Sequence, residues 1–160
     1  MTLYDEDVPL KLPPKIKILE ALGCIGDQRI KLLNDKEAYV VSSDYTKNYY
    51  VYVNLDSRTV FSDDNGTKFR KYVGYPIIAF LMLRGILPFD ENLAKALAGI
   101  PWRRLNEAYK NYHLVEKIVL RKVKSAGIEE AYVQNFAENV LKRLALLRLK
   151  YVELDKIKQC

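Results

Sequence analysis

The chain reads as a mainly α protein, one helical domain with a small antiparallel β-hairpin or meander insertion near residues 38–62. Three observations predict it. Apolar residues recur at helical spacing through most of residues 75–154, whereas Val- and Tyr-rich runs typical of strands are confined to residues 38–62. The length of 160 residues, with 49% hydrophobic and 29% charged residues, suits one globular domain and excludes disordered, collagen-like and low-complexity classes. Within it, residues 1–12 form a flexible acidic lead, mobile or docked on another surface, residues 13–155 the globular domain, with residues 35–62 as its β-rich insertion, and residues 156–160 a tail.

Each element has a local cause. Pro13-Pro14 opens a helix, because proline's missing N–H costs nothing in a first turn. Ile16, Leu19 and Leu22 give that helix an inner face, and Gly23 is its expected stop. Residues 38–43, 49–55 and 59–62 are the expected strands, with Asp56-Ser57-Arg58 turning between the last two. Residues 62–67 are a loop by composition. Residues 75–84 are nearly all apolar, which predicts a central buried helix closed by Gly85 and Pro88. Asp90 caps a helix running to Ala98, and Gly99-Ile100-Pro101 restarts the chain. An apolar stripe runs from Leu105 through Tyr112 to Val123 and stops at Ser125-Ala126-Gly127. The spacing of Val133, Phe136, Val140, Leu144, Leu147 and Tyr151 predicts one long amphipathic helix over residues 129–154.

Several function classes fall away. The longest apolar run, residues 77–83, is far short of the roughly 18–20 residues of a membrane span. The opening Met1-Thr2-Leu3-Tyr4 turns acidic at Asp5-Glu6-Asp7, the reverse of a secretory signal. Cys24 and Cys160 are too few for a disulfide framework or a thiolate cage, so a reduced, cytoplasmic protein without membrane partners is expected. His113 is the one histidine and has no assigned carboxylate or thiol partner. Asp63-Asp64 before Asn-Gly describes a polar turn as well as a metal pair, and no phosphate-binding glycine motif or nucleophile elbow occurs. No catalysis by the chain alone is expected.

Charge is more informative. Residues 1–80 hold 11 Lys/Arg against 11 Asp/Glu, and residues 81–160 hold 15 against 9, so the net charge of +6 belongs to the second half. Lys and Arg displace counterions from phosphates, which favours a polyanionic partner. Basic and aromatic residues gather in Lys68, Arg70 and Lys71, then Arg84, then Trp102-Arg103-Arg104, Tyr109-Lys110 and Tyr112-His113. Cations neutralise phosphates while Tyr and Trp faces stack on bases, the mixture a nucleotide or single-strand site uses. Residues 93–105 also resemble a helix-turn-helix, with Trp102-Arg103-Arg104 opening the second helix and Lys95 at an inner position where Ala is usual.

Taken in order, these segments resemble the iron–sulphur domain of the archaeal and eukaryotic primase large subunit. Residues 12–20, Leu-Pro-Pro-Lys-Ile-Lys-Ile-Leu-Glu, resemble its "F-P-P-C-I-K-x-x-L" entry. Gly66 through Phe80-Leu81 to Gly85-Ile86 matches "G-x-x-L…F-L-x-x-x-G-[IML]". Ile100-Pro101-Trp102 falls near "P-D-F", and residues 112–118 resemble "Y-Q-V-E-H-I". Lys15 stands where the first cluster-binding Cys would be, and with Cys24 and Cys160 alone no iron–sulphur cluster and no other cofactor is expected. A cluster-less relative of that domain is what the non-catalytic PriX subunit of some archaeal primases looks like.

The resemblance implies an accessory subunit that joins the catalytic small subunit and the large subunit on a DNA template and promotes RNA primer synthesis. It implies that Lys68, Arg70 and Lys71 grip the triphosphate of an initiating ribonucleotide and that Trp102, Tyr109 and Tyr112 supply aromatic faces. One family Arg falls on Gly74 here and one Lys on Met82, with Arg84 as stand-in. The nucleotide- and nucleic-acid-binding set expected from charge and resemblance together is Lys68, Arg70, Lys71, Arg84, Trp102, Arg103, Arg104, Tyr109 and Tyr112. A helix-turn-helix-like DNA-binding module is the alternative. Residues 60–79 also resemble a SWIM zinc finger whose four ligand positions hold Phe61, Asp63, Gly74 and Pro76, which would make a metal-free interaction module in DNA repair.

Overall fold

Alternation decides the centre of the molecule. Ala38 and Val40, then Val51 and Val53, then Val60 and Ser62 point to one side of three paired strands and are buried, each at 2% exposure or less. The computed structural model describes residues 7–158. Its strands are β1 (Val8–Pro9), β2 (Ile30–Leu32), β3 (Glu37–Val41), β4 (Asn48–Asn54), β5 (Thr59–Ser62) and β6 (Lys150–Tyr151). Its helices are α1 (Ile16–Gly26), α2 (Asn65–Lys68), α3 (Tyr75–Leu83), α4 (Glu91–Ala96), α5 (Trp102–Tyr109), α6 (Tyr112–Ser125), α7 (Glu130–Leu147) and α8 (Leu154–Lys158).

The strands form one six-stranded mixed sheet in the order β1-β6-β5-β4-β3-β2. All neighbours run antiparallel except β5 and β6, which pair in parallel with Thr59 opposite Lys150. This overturns the mainly α reading with a small β insertion at residues 38–62: the fold is α+β, and the sheet is a principal layer reaching both ends of the chain. Val8 and Pro9 of the acidic lead belong to it as β1, and Lys11 forms an isolated bridge with Tyr72. Leu10 N–H donates to the Leu149 carbonyl at 3.0 Å, and Lys11 N–H to that of Lys71 at 2.9 Å. Residues 1–6 of the lead and residues 159–160 of the tail, Cys160 included, lie outside the described residues.

Helix α3 is apolar all round and lies between the sheet and α1, with its residues from Tyr75 to Met82 buried. Helices α4, α6 and α7 pack behind α1 and contribute Leu93, Val115, Val119, Val133, Val140 and Leu144 to the same core. Cys24 sits there fully buried, and burial pushes its thiol up to about 12, so it packs as an inert apolar residue. The opposite face of the sheet carries Tyr50, Tyr52 and Phe61, against which Leu154 and Ile157 of α8 pack.

Two helical runs are shorter than their apolar spacing predicts. The stripe over residues 105–123 is split at Lys110, whose φ of 50° is left-handed, and the long C-terminal run ends at Arg148, also at φ 50°. The segment 62–67, expected as loop, holds the start of α2 at Asn65. Among the described residues no helix is long and apolar enough to cross a membrane.

Candidate functional site

One end of the α1–α3 layer opens into a polar cleft of about 210 Å³. Five short pieces of chain build it: Lys17 and Glu20 from α1, the turn between β3 and β4 with Lys47, Asp64 to Gly66 at the start of α2, Arg70 to Tyr75 leading into α3, and Arg103, Asn106 and Tyr112 from α5 and α6. Of the sequence-predicted residues, Arg70, Arg103 and Tyr112 meet here.

The floor holds an internal ion pair. Lys17 Nζ donates to Glu20 Oε1 at 2.9 Å and lies 4.9 Å from the centre of the Tyr112 ring. Burial alone would pull the Lys17 pKa down, but Glu20 and the hydroxyls of Tyr72 and Tyr112 outweigh it and raise it, so this lysine stays charged. Tyr72 and Tyr112 bring their hydroxyl oxygens within 3.5 Å of each other.

Asp64 anchors a second wall. Its Oδ2 accepts from Thr67 N–H at 3.1 Å, capping α2, while Thr67 Oγ1 accepts from Gly74 N–H at 3.0 Å. The backbone can close this tightly because Gly74 has no side chain: a Cβ there would lie 2.1 Å from Asp64 Oδ2. Gly66 is equally constrained, since its Cβ would lie 2.3 Å from the Tyr72 ring. Gly74→Ala is therefore expected to displace the Asp64 carboxylate and cost about 1–3 kcal/mol, read from the denaturation midpoint. An unchanged midpoint would show that the two segments can part freely.

Arg103 is held at the rim. Its backbone N–H donates to Ser43 Oγ at 2.8 Å, and its Nε lies 3.3 Å from Asp44 and 3.6 Å from Glu107. The hydroxyls of Thr46 and Ser42, with Arg103, hold the Asp44 carboxyl at about 2. Lys47 and Arg70 make no ion pair among the described residues, so they are the cations free to meet a ligand.

The remaining predicted residues stand elsewhere. Lys68 is exposed with its Nζ 5.6 Å from the Phe69 ring. Lys71 turns away, lying 4.1 Å from the Tyr151 ring and donating to the Lys68 carbonyl. Arg84 caps the far end of α3 at the surface, Arg104 is exposed on α5, and Tyr109 is exposed at the end of α5. Trp102 is fully buried against Gly23 of α1. Lys95, inner in the helix-turn-helix spacing, is exposed and 3.6 Å from Glu91. Asp63, at a SWIM ligand position, accepts from Tyr50 N–H at 3.0 Å, and among the described residues no three His, Cys, Asp or Glu side chains are grouped to hold a metal ion.

Sequence reasoning missed Lys17, Glu20, Lys47, Tyr49, Tyr72 and Asn106, and weighed Asp64 as part of a polar turn or half of a metal pair. A signal did exist for the first two. Opposite charges three residues apart interrupt the run Ile16, Ile18, Leu19, Ala21, Leu22, which is apolar on every side.

The chain belongs to the family described as Uncharacterised conserved protein UCP014422, which matches residues 10–150. No curated protein and no solved structure matches it.

Proposed function

We propose that this protein is a non-catalytic nucleotide-binding subunit, and that the cleft beneath Arg70, Arg103 and Tyr112 holds the nucleotide. The observation that supports this is the meeting of those three residues, distant in sequence, around one polar cavity that also presents Lys47. The free cations Lys47 and Arg70 suit phosphate oxygens, which form charge-assisted bonds with guanidinium and ammonium groups. Tyr49, Tyr72 and Tyr112 supply ring faces of the kind that stack on bases.

The resemblance to the primase iron–sulphur domain gives this activity its setting: an accessory subunit working with the catalytic and large primase subunits on a DNA template, holding the initiating ribonucleoside triphosphate. Initiation joins two free nucleotides, so a subunit that immobilises one raises the effective concentration at the catalytic centre. No chemistry is assigned to the chain itself. The helix-turn-helix alternative draws less support, because Trp102 is inside the core and Arg103 is tied to Asp44 and Glu107.

Arg70→Ala is expected to weaken nucleoside triphosphate binding by about 10- to 100-fold, the value of one or two charge-assisted hydrogen bonds. Arg104→Ala, on exposed α5 surface outside the cleft, is expected to bind as the parent does. Calorimetric titration of both variants decides the site, and equal loss in both would move it to the outer face of α5. In a reconstituted primase the Arg70 variant should initiate poorly and elongate normally. Equal impairment of both steps would remove the role at the first nucleotide.

A further inference from the structure

The pair Tyr109-Lys110, left outside the cleft, opens the most one-sidedly charged stretch of the chain. Residues 108–125 hold five Lys/Arg against one Asp/Glu, so most of the net charge of +6 sits in one segment. Helix α6 turns Val115, Val119, Leu120 and Val123 into the core. Lys117, Arg121 and Lys124 stand exposed on its outer arc, four and three residues apart and therefore neighbours along one face. Glu116, the only acid of this helix, is half-buried about a quarter-turn round from Lys117. No carboxylate among the described residues forms an ion pair with Lys110, Lys117, Arg121 or Lys124.

Stability does not explain this row, because like charges at these spacings repel. Lys122 shows what a structural lysine does on the same helix. It donates to the Ala96 and Ala98 carbonyls at 3.1 and 2.6 Å and so closes the end of α4. Lys124 lies in the last turn, where a cation suits the negative helix end, but Lys117 and Arg121 come before it. A lipid surface does not fit either. An interfacial helix presents an apolar row outward, whereas α6 turns its row inward and leaves Leu114 as its one exposed large apolar residue.

We propose that the outer arc of α6 is the track of a single-stranded nucleic acid, with phosphates on Lys117, Arg121 and Lys124 and a base stacked on Tyr109. From Lys117 to Lys124 the helix rises about 10 Å, roughly the length of three phosphates at the ~3.4 Å step of one DNA strand. The Tyr109 ring is 48% exposed at the junction of α5 and α6, beside Lys110, and three residues on Tyr112 lines the cleft. The track therefore begins beside the nucleotide cleft. An exposed ring next to cations suits a strand whose bases are unpaired, since a duplex keeps its base faces stacked inside. The inference rests on the nucleotide reading above for the strand's task, which is to serve as the template opposite the held nucleotide. The two sites use different side chains, so each can fail alone.

The test is fluorescence anisotropy of a labelled single-stranded DNA oligomer with the full chain over a range of salt, beside calorimetric titration with nucleoside triphosphate. The variant Lys117→Gln/Arg121→Gln/Lys124→Gln removes mutual repulsion at exposed positions, so it folds as the parent does. It is expected to bind the strand about 10-fold or more weakly at low salt. Its slope of log K against log salt should be shallower by about 2, the value of three phosphates on a single strand. Its affinity for triphosphate should not change. Arg84→Gln/Lys142→Gln/Arg143→Gln removes the same charge from exposed sites elsewhere and should keep most of the strand affinity and of the slope. Tyr109→Ala should lose about 5-fold or more with the slope unchanged, because the ring stacks and carries no charge. Equal loss in the two triple variants overturns the proposal. So does tighter binding of a blunt duplex than of the single strand, or displacement of the strand by polyglutamate as effective as by unlabelled strand. Triphosphate binding without strand binding overturns the track while the nucleotide cleft stands. Strand binding without triphosphate binding leaves the track and overturns the nucleotide reading.

Discussion

Trp102→Ala should lose about 3–5 kcal/mol of stability, a large part of the roughly 5–15 kcal/mol of an ordinary domain. The indole is fully buried and joins α5 to α1: a Cβ added at Gly23 would lie 2.8 Å from its Nε1. That nitrogen has no hydrogen-bond partner, so packing is all the ring contributes, and truncation leaves a cavity that two short segments cannot close. Helix α5 also lacks a side-chain cap from Pro101, so at that end the ring shares the tethering with the Ser43 hydroxyl on Arg103 N–H. Urea titration checks it, with Trp102→Phe expected to recover part of the loss because most of the apolar contact returns. The opposite pattern, unchanged stability with lost nucleotide binding, would put the ring in the ligand site that charge and resemblance proposed for it.

The contrast between Trp102 and Arg70 shows what a one-dimensional reading can carry. Both were singled out by composition, as an aromatic and a cation near other basic residues. Exposure separates them, and for Trp102 it is decided by Gly23, which lies opposite the ring. Gly23 was read as a helix stop; α1 in fact continues to Gly26, and Gly23 is where the indole fits.

The same holds for the sheet. Strands β3 to β5 were legible because β-branched and aromatic residues dominate runs of four to seven residues that pair through short turns. Strands β1, β2 and β6 have two or three residues, too few to show a period of two. The parallel pairing of Thr59 with Lys150 joins distant parts of the chain, which no local pattern encodes. Lys150-Tyr151 also continued the apolar spacing of α7, and only the left-handed backbone at Arg148 frees it to pair. The cleft was half legible for a related reason. Surface cations and tyrosines announce themselves, while Lys17 and Glu20 are charges inside an apolar helix that only the packing of α3 and α6 turns into a buried pair.

That pair supports the second large effect. Glu20→Ala should destabilise the protein by about 3–5 kcal/mol, because it strands the Lys17 ammonium in the core without its 2.9 Å partner. Lys17→Met combined with Glu20→Leu should regain most of the loss, since removing both charges also removes both desolvation penalties. The pH dependence tells ion pairing from packing. In the parent, Lys17 has a raised pKa, so its contribution is complete below the unfolded lysine value of about 10.4 and is lost as pH rises through the folded value. In Glu20→Ala the burial that already opposes the charge on Lys17 loses its main counterweight, and the folded pKa falls below the unfolded one. The unfolded chain then binds more protons, and stability increases with pH over that interval. Denaturation midpoints between pH 7 and 10 should therefore climb for the single variant relative to the parent and run parallel to it for the double variant. A single variant that tracks the parent throughout would mean that Lys17 has found water or another anion, and that the cleft floor is not a closed ion pair.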